Sequence, residues 1–357
     1  HEIDGDILDM EFTPNRGDCL SINGLLRDLA VFYTIDLNQE IYNEELNELQ
    51  LDFENLSKNT CPKISFLKLE IDHVPETYKN SLDNYFTDLG LNKNNFFTDV
   101  SNYLSYETGQ PTHCYDAKKM GGKLLFHEIE KSEEFETLLD KKITLTGKNS
   151  VFSLNDDVIN LAGIVGGKST SCSADTKTVL VECAYFQPEA IIGKSVKYDI
   201  QSDASHKFER GVDPKCQDKV LRRLIKLVSE HANIKDRSII SYKYKNNPTY
   251  QIPVNVKKIN QIIGININEK EYLNFVSKLE FVVEDGFIKV PSFRSDIKTQ
   301  NDLAEEVARA IGYDNIATSK ISIPNNEKTN NKAIENKLRF FLLDHGFYEV
   351  INSPFVN

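Results

Sequence analysis

The sequence predicts an α/β protein of the α+β kind, with helices packed on mixed sheets. Three observations predict it. Residues 64–73 alternate, with Leu67, Leu69 and Ile71 on one face and Lys68, Glu70 and Asp72 on the other, the period of a half-buried strand. Residues 123–184 hold a run of short strand patterns broken by glycines. Helical stripes frame these strands. One is Ile22, Leu25, Leu26, Leu29 and Phe32 behind Ser21, a suitable N-cap; the other is Val220, Leu221, Leu224, Ile225 and Val228 behind Asp213-Pro214.

The elements follow in order. A helix is expected over 21–35. Residues 36–54 carry seven acids and no base and read as a solvated connector. After the strand at 64–73 come helices at 77–89, closed by Gly90, and at 95–107, closed by Gly109 and Pro111. Strands are expected at 123–129, 142–146, 151–154, 157–161 and 178–184, interrupted by Gly163, Gly166 and Gly167. The polar stretch YKYKNNPTY (242–250) places a domain boundary near 245. Beyond it come a strand at 251–256, helices at 257–263 and 269–280, strands within 281–290 and a helix at 300–311. Residues 317–332 are again polar. A last helix, 331–345, leads to a strand start at 348–352.

A length of 357 residues suits two or three domains, and 40% hydrophobic with 27% charged residues is ordinary for a soluble protein. No apolar run approaches the ~18–20 residues of a helical membrane span. A net charge of −12 argues against a basic nucleic-acid module as a whole, and no DNA partner is expected. Residues 194–226 are the exception, with nine bases against five acids, and read most simply as a solvated helix face. The six cysteines (19, 61, 114, 172, 183, 216) form no C-x-x-C pair. Zinc ribbons and thioredoxin-like motifs are excluded, and reduced thiols in the cytoplasm are expected. The first ten residues hold four acids, no basic n-region and no initial Met, so they read as a cut from a longer chain.

Five stretches can carry chemistry. EFTPNRGDCLS (11–21) is a turn ahead of a helix cap. GQPTHCYD (109–116) places His113 beside Cys114; a Cys–His nucleophile pair is one reading, although adjacent residues rarely aim their side chains to the same side. In TVLVECAYF (178–186), Glu182 shares a face with Leu180 and Ala184. A carboxylate among apolar neighbours needs a partner or a job if buried, and the alternative is an edge-strand glutamate facing water. LAGIVGG (161–167) is not a phosphate loop; its glycines suit a tight turn or a close approach to backbone. Last, Asp296 precedes Asp302, Glu305 and Glu306, which project from about one side of a helix. Clustered carboxylates suit a hard cation, and the alternative is a helix first turn stabilised by its dipole, with a Glu305–Arg309 pair.

Taken together, EFTPNRGDCLS, SNYLSYETGQPTHCYD, LAGIVGG, VLVECAYFQPEAI, SDASHKFERGVDP (202–214) and PSFRSDI…DLAEEVARAIGYDNI resemble the beta chain of bacterial-type phenylalanyl-tRNA synthetase. They occur in the family's order from about residue 5 to 316, and HGFYEVINSPF (345–355) resembles the opening of that family's catalytic-like module. The resemblance implies a tRNA-editing module at 1–245, a small winged-helix-like module at 250–320, and the start of a catalytic-like module at 330–357. It implies proofreading of Tyr-tRNA(Phe), a scaffold role toward an alpha chain in an alpha2 beta2 assembly, and a tRNA(Phe) partner. ATP would be used by the whole enzyme and not bound here. The family's editing residues fall on Asn102, His113, Gly166, Glu182 and Ala204. Its Mg²⁺ ligands, one ion per beta chain, fall on Asp296, Asp302, Glu305 and Glu306. Cys114 and Tyr115 depart from the family's usual Ala and Phe, Ser101 from Thr, and Lys207 from the common Arg.

The residues make chemical sense of that implication. Phe and Tyr differ by one hydroxyl, and a site built to hydrogen-bond it rejects the ligand lacking it. An ionised Glu182 is a suitable acceptor, Gly166 and Ala204 leave room for a ring, and His113 and Asn102 can hold a water or a terminal ribose. Two other readings compete: a non-enzymatic tRNA-binding or subunit-interface scaffold with decayed editing, and a metal-dependent phosphate hydrolase at the acidic cluster.

Overall fold

The computed structural model describes residues 2–4, 7–33, 35, 40–246, 249–318 and 332–352. Residues 1–316 form one compact unit and 317–357 another, taken in turn below.

A short antiparallel hairpin, β1 (Glu2–Asp4) and β2 (Ile7–Asp9), opens the first unit. Helix α1 (Ile22–Leu29) starts where expected, with the Ser21 hydroxyl accepting from the Gly24 N–H at 3.0 Å. It stops six residues short of the pattern's end. Phe32 and Tyr33 are exposed, and Val31 is buried in a separate core.

The acidic connector is more than a solvated tether. It contributes β3 (Asn47–Glu48) and β4 (Phe53–Asn55), each a short parallel edge strand. Two or three residues are too few to show alternation, which is why the acids dominated the reading. The chain continues through β5 (Lys63–Ile71), α2 (Asn80–Asp88), α3 (Phe96–Thr108), β6 (His113–Asp116), β7 (Leu124–Ile129), β8 (Glu133–Glu136), β9 (Lys142–Leu145) and β10 (Asn149–Leu154). Then come β11 (Asp157–Leu161), β12 (Val165–Gly166), β13 (Thr178–Tyr185), α4 (Pro188–Ile191), α5 (Lys194–Tyr198), α6 (Asp203–Arg210), α7 (Gln217–Ser229) and β14 (Ile234–Lys243). Asp213 does not cap α7 directly. It caps the turn before it, accepting from the Lys215 N–H at 2.8 Å, and the helix begins at Gln217.

Two five-stranded sheets result, in the orders β12-β11-β10-β7-β4 and β3-β14-β5-β13-β6. Both are antiparallel except at the parallel edge strand each gains from the connector. Their facing sides enclose one core, with Phe66, Tyr115, Phe126, Phe152 and Phe186. The outer side of the second sheet carries α3 and α7 over another core, with Leu67, Leu69, Val179, Val181 and Leu224. Strand β5 is therefore covered on both faces along most of its length, unlike the half-buried strand its alternation suggested, because the facing sheet lies over one face and the helices over the other.

A third core closes around β15 (Gln251–Pro253), α8 (Val256–Ile263), α9 (Glu269–Lys278), β16 (Val282–Glu284), β17 (Phe287–Lys289) and α10 (Gln300–Ile311). The strands pair in the order β15-β17-β16. Asn268 and Glu271 form a full capping box on α9, and Val31 from beyond α1 inserts into this core.

In the second unit, α11 (Lys332–Asp344) forms where the pattern placed it. The strand start expected at 348–352 does not form. Tyr348, Val350 and Ile351 are 91%, 69% and 100% exposed, and among the described residues no strand pairs with them. Most of the polar stretch 317–332 lies outside the described residues.

Candidate active site

Strands β6 and β13 pair antiparallel in a register that sets His113 directly opposite Glu182. Residues opposite each other on neighbouring strands point to the same face. Here that face looks between the two sheets. Glu182 is on an inner strand and only 4% exposed, which rules out the edge-strand alternative. Tyr115, two residues along from His113, shares the face. Its ring meets His113 edge-on, with centroids 4.4 Å apart. The Tyr115 hydroxyl donates to Glu182 Oε2 at 3.3 Å and accepts from Asn160 Nδ2 at 2.9 Å.

The far side of the imidazole is closed by Gly166 on β12. A Cβ there would lie 2.7 Å from His113 Nε2 and 2.8 Å from Leu138 Cδ1, so only glycine admits the ring. Gly163 turns the same loop at φ +72°, where a Cβ would meet Ile191 at 2.7 Å. Ala204 lies in the first turn of α6. The Ser202 cap ties that turn to the loop by donating to the Ile164 carbonyl at 2.7 Å. The buried ammonium of Lys207 fastens α6 to α3, donating to the Ser105 carbonyl at 2.9 Å and to Asp203 at 2.8 Å. Asn102 is exposed on α3. Its neighbour Ser101 donates to the Thr112 carbonyl at 2.9 Å, which holds this part of α3 against the strand carrying His113.

His113, Gly166 and Glu182 are thus assembled, Ala204 is tied to their loop, and the Asn102 side chain makes no hydrogen bond among the described residues. Two participants were not foreseen. Tyr115 was visible only as a departure from the family's usual Phe, and Asn160 had no signal beyond its place in an alternating strand. The Cys–His nucleophile pair is overturned. Cys114 points to the opposite face of β6, into the helix-side core, and its Sγ lies 3.5 Å from the Phe97 carbonyl. Burial raises that thiol far above its ordinary range.

Burial also sets the two ionisable groups of the site. It pushes the Glu182 carboxyl up to about 8, against the opposing hydrogen bond from Tyr115, and pulls His113 down to about 4. At neutral pH His113 is an uncharged imidazole, and its buried Nε2 has no hydrogen-bond partner. A polar atom left this way costs about 1–3 kcal/mol unless something fills it. Three clefts elsewhere in the first unit, of about 660, 320 and 260 Å³, are lined by other residues.

The acids expected to hold Mg²⁺ are engaged differently. Arg294, almost fully buried, binds Asp296 through two contacts of 2.9 Å and Glu306 at 2.7 Å. Arg309 also reaches Glu306, at 2.9 Å, and pairs with Asp28 of α1, which accepts in turn from Arg16 at 3.0 Å. Burial works against the charge of Glu306 and Asp28. The arginines outweigh it, holding Glu306 below its usual range and Asp28 at about 2. Asp302 forms a capping box with Thr299, accepting from the Lys298 and Thr299 N–H groups at 2.8 and 2.7 Å. Glu305 is exposed on α10 and pairs with no arginine among the described residues, so in place of the Glu305–Arg309 pair of the alternative reading Arg309 takes Glu306. Among the described residues no three acid, histidine or cysteine side chains converge on a metal position. This donor set does not fit a cation, because arginines already supply the positive charge.

Comparison with known proteins places the chain in a family. Residues 70–233 match the B3/4 domain and residues 252–313 the tRNA synthetase B5 domain, which define the chain as part of an aminoacyl-tRNA synthetase. A phenylalanine–tRNA ligase beta subunit of Psychrobacter arcticus is 30% identical over 99% of this chain and 45% of its own length. That of Ehrlichia canis is 30% identical over 98% and 45%. The chain belongs to the phenylalanyl-tRNA synthetase beta-chain family, and it spans about half the length of the relatives it matches. An N-terminal fragment of the Pyrococcus horikoshii phenylalanyl-tRNA synthetase beta subunit shares 15% identity, covering 84% of this chain and 85% of that one, with a TM-score of 0.42. No described helix is long and apolar enough to cross a membrane.

Proposed function

We propose that residues 1–245 are an editing module that hydrolyses tyrosine wrongly attached to tRNA(Phe). The observation that carries this reading is the buried pair His113–Glu182: a carboxylate able to accept a phenolic hydroxyl, facing a neutral imidazole whose Nε2 is unpartnered. A tyrosyl ring entering here gives its hydroxyl to Glu182. A phenylalanyl ring leaves the carboxylate short of that bond, at a cost of about 1–3 kcal/mol. An aminoacyl ester is already activated, so its hydrolysis needs a positioned water and little else. His113, uncharged at pH 7, accepts a hydrogen bond from that water or from the terminal ribose. No side chain acts as a nucleophile.

Residues 250–320 are read as the small winged-helix-like module, and 330–357 as the start of the catalytic-like module, which together brace an alpha chain in an alpha2 beta2 ligase. On this reading the chain is at most an editing esterase; aminoacylation and its ATP belong to the whole enzyme. All six cysteines are free thiols, in keeping with a cytoplasmic protein. The deciding experiment offers the chain Tyr-tRNA(Phe) and Phe-tRNA(Phe). Release of tyrosine well above the spontaneous rate, and of phenylalanine at the spontaneous rate, is expected. No release of either leaves the scaffold reading in place.

A further inference from the structure

We propose that Tyr115, held by Asn160, is a specificity-determining positioning residue: its hydroxyl occupies one oxygen of Glu182, which leaves the other oxygen to receive a tyrosyl hydroxyl. The inference rests on the editing reading of this site and deepens it.

Tyr115 is completely buried, and so is its partner Asn160 at 4% exposure. The amide N–H of Asn160, 2.9 Å away, sits on the phenolic oxygen, so the phenol's own proton is free to point at Glu182. Tyr115 is the sole hydrogen-bond partner of the Glu182 side chain among the described residues. The other ionisable groups around the carboxylate are His113 across the strand pair and the thiols of Cys61, Cys114 and Cys183, all held uncharged by burial. None of them neutralises Glu182, so the relay Asn160–Tyr115–Glu182 is what favours its charged form.

That charged form, the minority at pH 7 and the majority above about pH 8, is what discriminates. An ionised carboxylate only accepts, and burying it under a bare phenyl ring is costly. A protonated carboxyl also donates, can turn to another partner, and tolerates the phenyl ring better. A phenylalanine at 115 would take away the one donor that Glu182 has, so the carboxyl would stay neutral to higher pH and reject phenylalanine less well.

The test follows the Glu182 carboxyl carbon by NMR in the labelled chain, assigned with Glu182→Gln, in wild type, Tyr115→Phe and Asn160→Leu. The pH dependence of Tyr-tRNA and Phe-tRNA hydrolysis is measured alongside, corrected for spontaneous loss. Wild type is expected to titrate near 8. Tyr115→Phe is expected to titrate higher by about one pH unit, with Asn160→Leu between, and the Tyr-over-Phe preference is expected to move with the same midpoint. A Tyr-over-Phe preference that rises with pH through about 8 in wild type, and about one unit higher in Tyr115→Phe, is a result that looser packing alone would not produce. Unchanged titration in folded Tyr115→Phe overturns the proposal, whatever the activity. A shifted titration in a chain that hydrolyses neither ester leaves the relay standing and removes the editing reading.

Discussion

His113 and Glu182 face each other across neighbouring antiparallel strands, and burial drives both toward their uncharged forms, the imidazole to about 4 and the carboxyl to about 8. The two shifts act oppositely on stability. Glu182, raised in the fold, binds its proton more tightly there than in the unfolded chain, so its contribution is full below the ordinary carboxylate range and is lost as pH rises through about 8. His113 is lowered, so the unfolded chain takes up the proton first, and stability rises with pH from about 4 to about 6.5. In denaturant melts at fixed pH the two should nearly cancel between about 4.5 and 6.5, with stability falling from there to about 8, each contribution being on the order of a few kcal/mol. Glu182→Gln should remove the alkaline fall and expose the rise at acid pH, and His113→Phe should extend the fall down to about 4.5.

Glu182→Gln should also cut the preference for Tyr-tRNA over Phe-tRNA by about 5–150-fold, the equivalent of a 1–3 kcal/mol buried bond. The amide keeps an acceptor but cannot take the charge that the carboxyl gains as pH rises through about 8. The ratio of kcat/KM for the two esters is the measurement, and an unchanged ratio would place tyrosine recognition elsewhere.

Ala204 tests the room left for the ring. Its place in the first turn of α6, half-buried against the core between the sheets and tied through Ser202 to the loop of Gly163 and Gly166, sets a larger side chain against that core. Ala204→Trp is expected to abolish tyrosine release while lowering stability by no more than about 1–3 kcal/mol. Retained hydrolysis by the folded variant would separate Ala204 from the site.

Much of this arrangement was legible in the residues. Long elements with clear periods, such as α7 and β13, lie where their stripes put them, because one face of each is pressed on a core. Motifs drew His113, Gly166 and Glu182 together although 69 residues separate the first from the last, and strand register supplies the reason. What the sequence hid depended on partners distant in the chain. Nothing local marks Asn160 as the anchor of Tyr115, and two-residue β3 is too short for any pattern. The acids of α10 show the same limit. Their spacing puts them on about one side of a helix, but spacing does not reveal that Arg294, Arg309 and Arg16 fold in among them.

Those arginines supply the last prediction. Arg294 is buried between Asp296 and Glu306, and the chain of contacts runs on through Arg309 and Asp28 to Arg16, fastening α1 to α10. Removing one member leaves buried charge uncompensated, which typically costs about 3–5 kcal/mol, whereas a surface pair costs under about 1. Arg294→Met should therefore lower the unfolding free energy by several kcal/mol, and Lys93→Met, at an exposed pair with Asp83, by almost nothing. Glu306 and Asp28 are both depressed, so their contribution is present above the ordinary carboxylate range and fades as pH falls toward about 2, where Asp28 takes up its proton. Since the arginines already supply the positive charge, millimolar Mg²⁺ should leave the thermal midpoint of the chain unmoved. A bound ion would raise it. A rise that Asp302→Asn erases would mean that the acids exchange arginine for metal, and that the arrangement around Arg294 is one of two states.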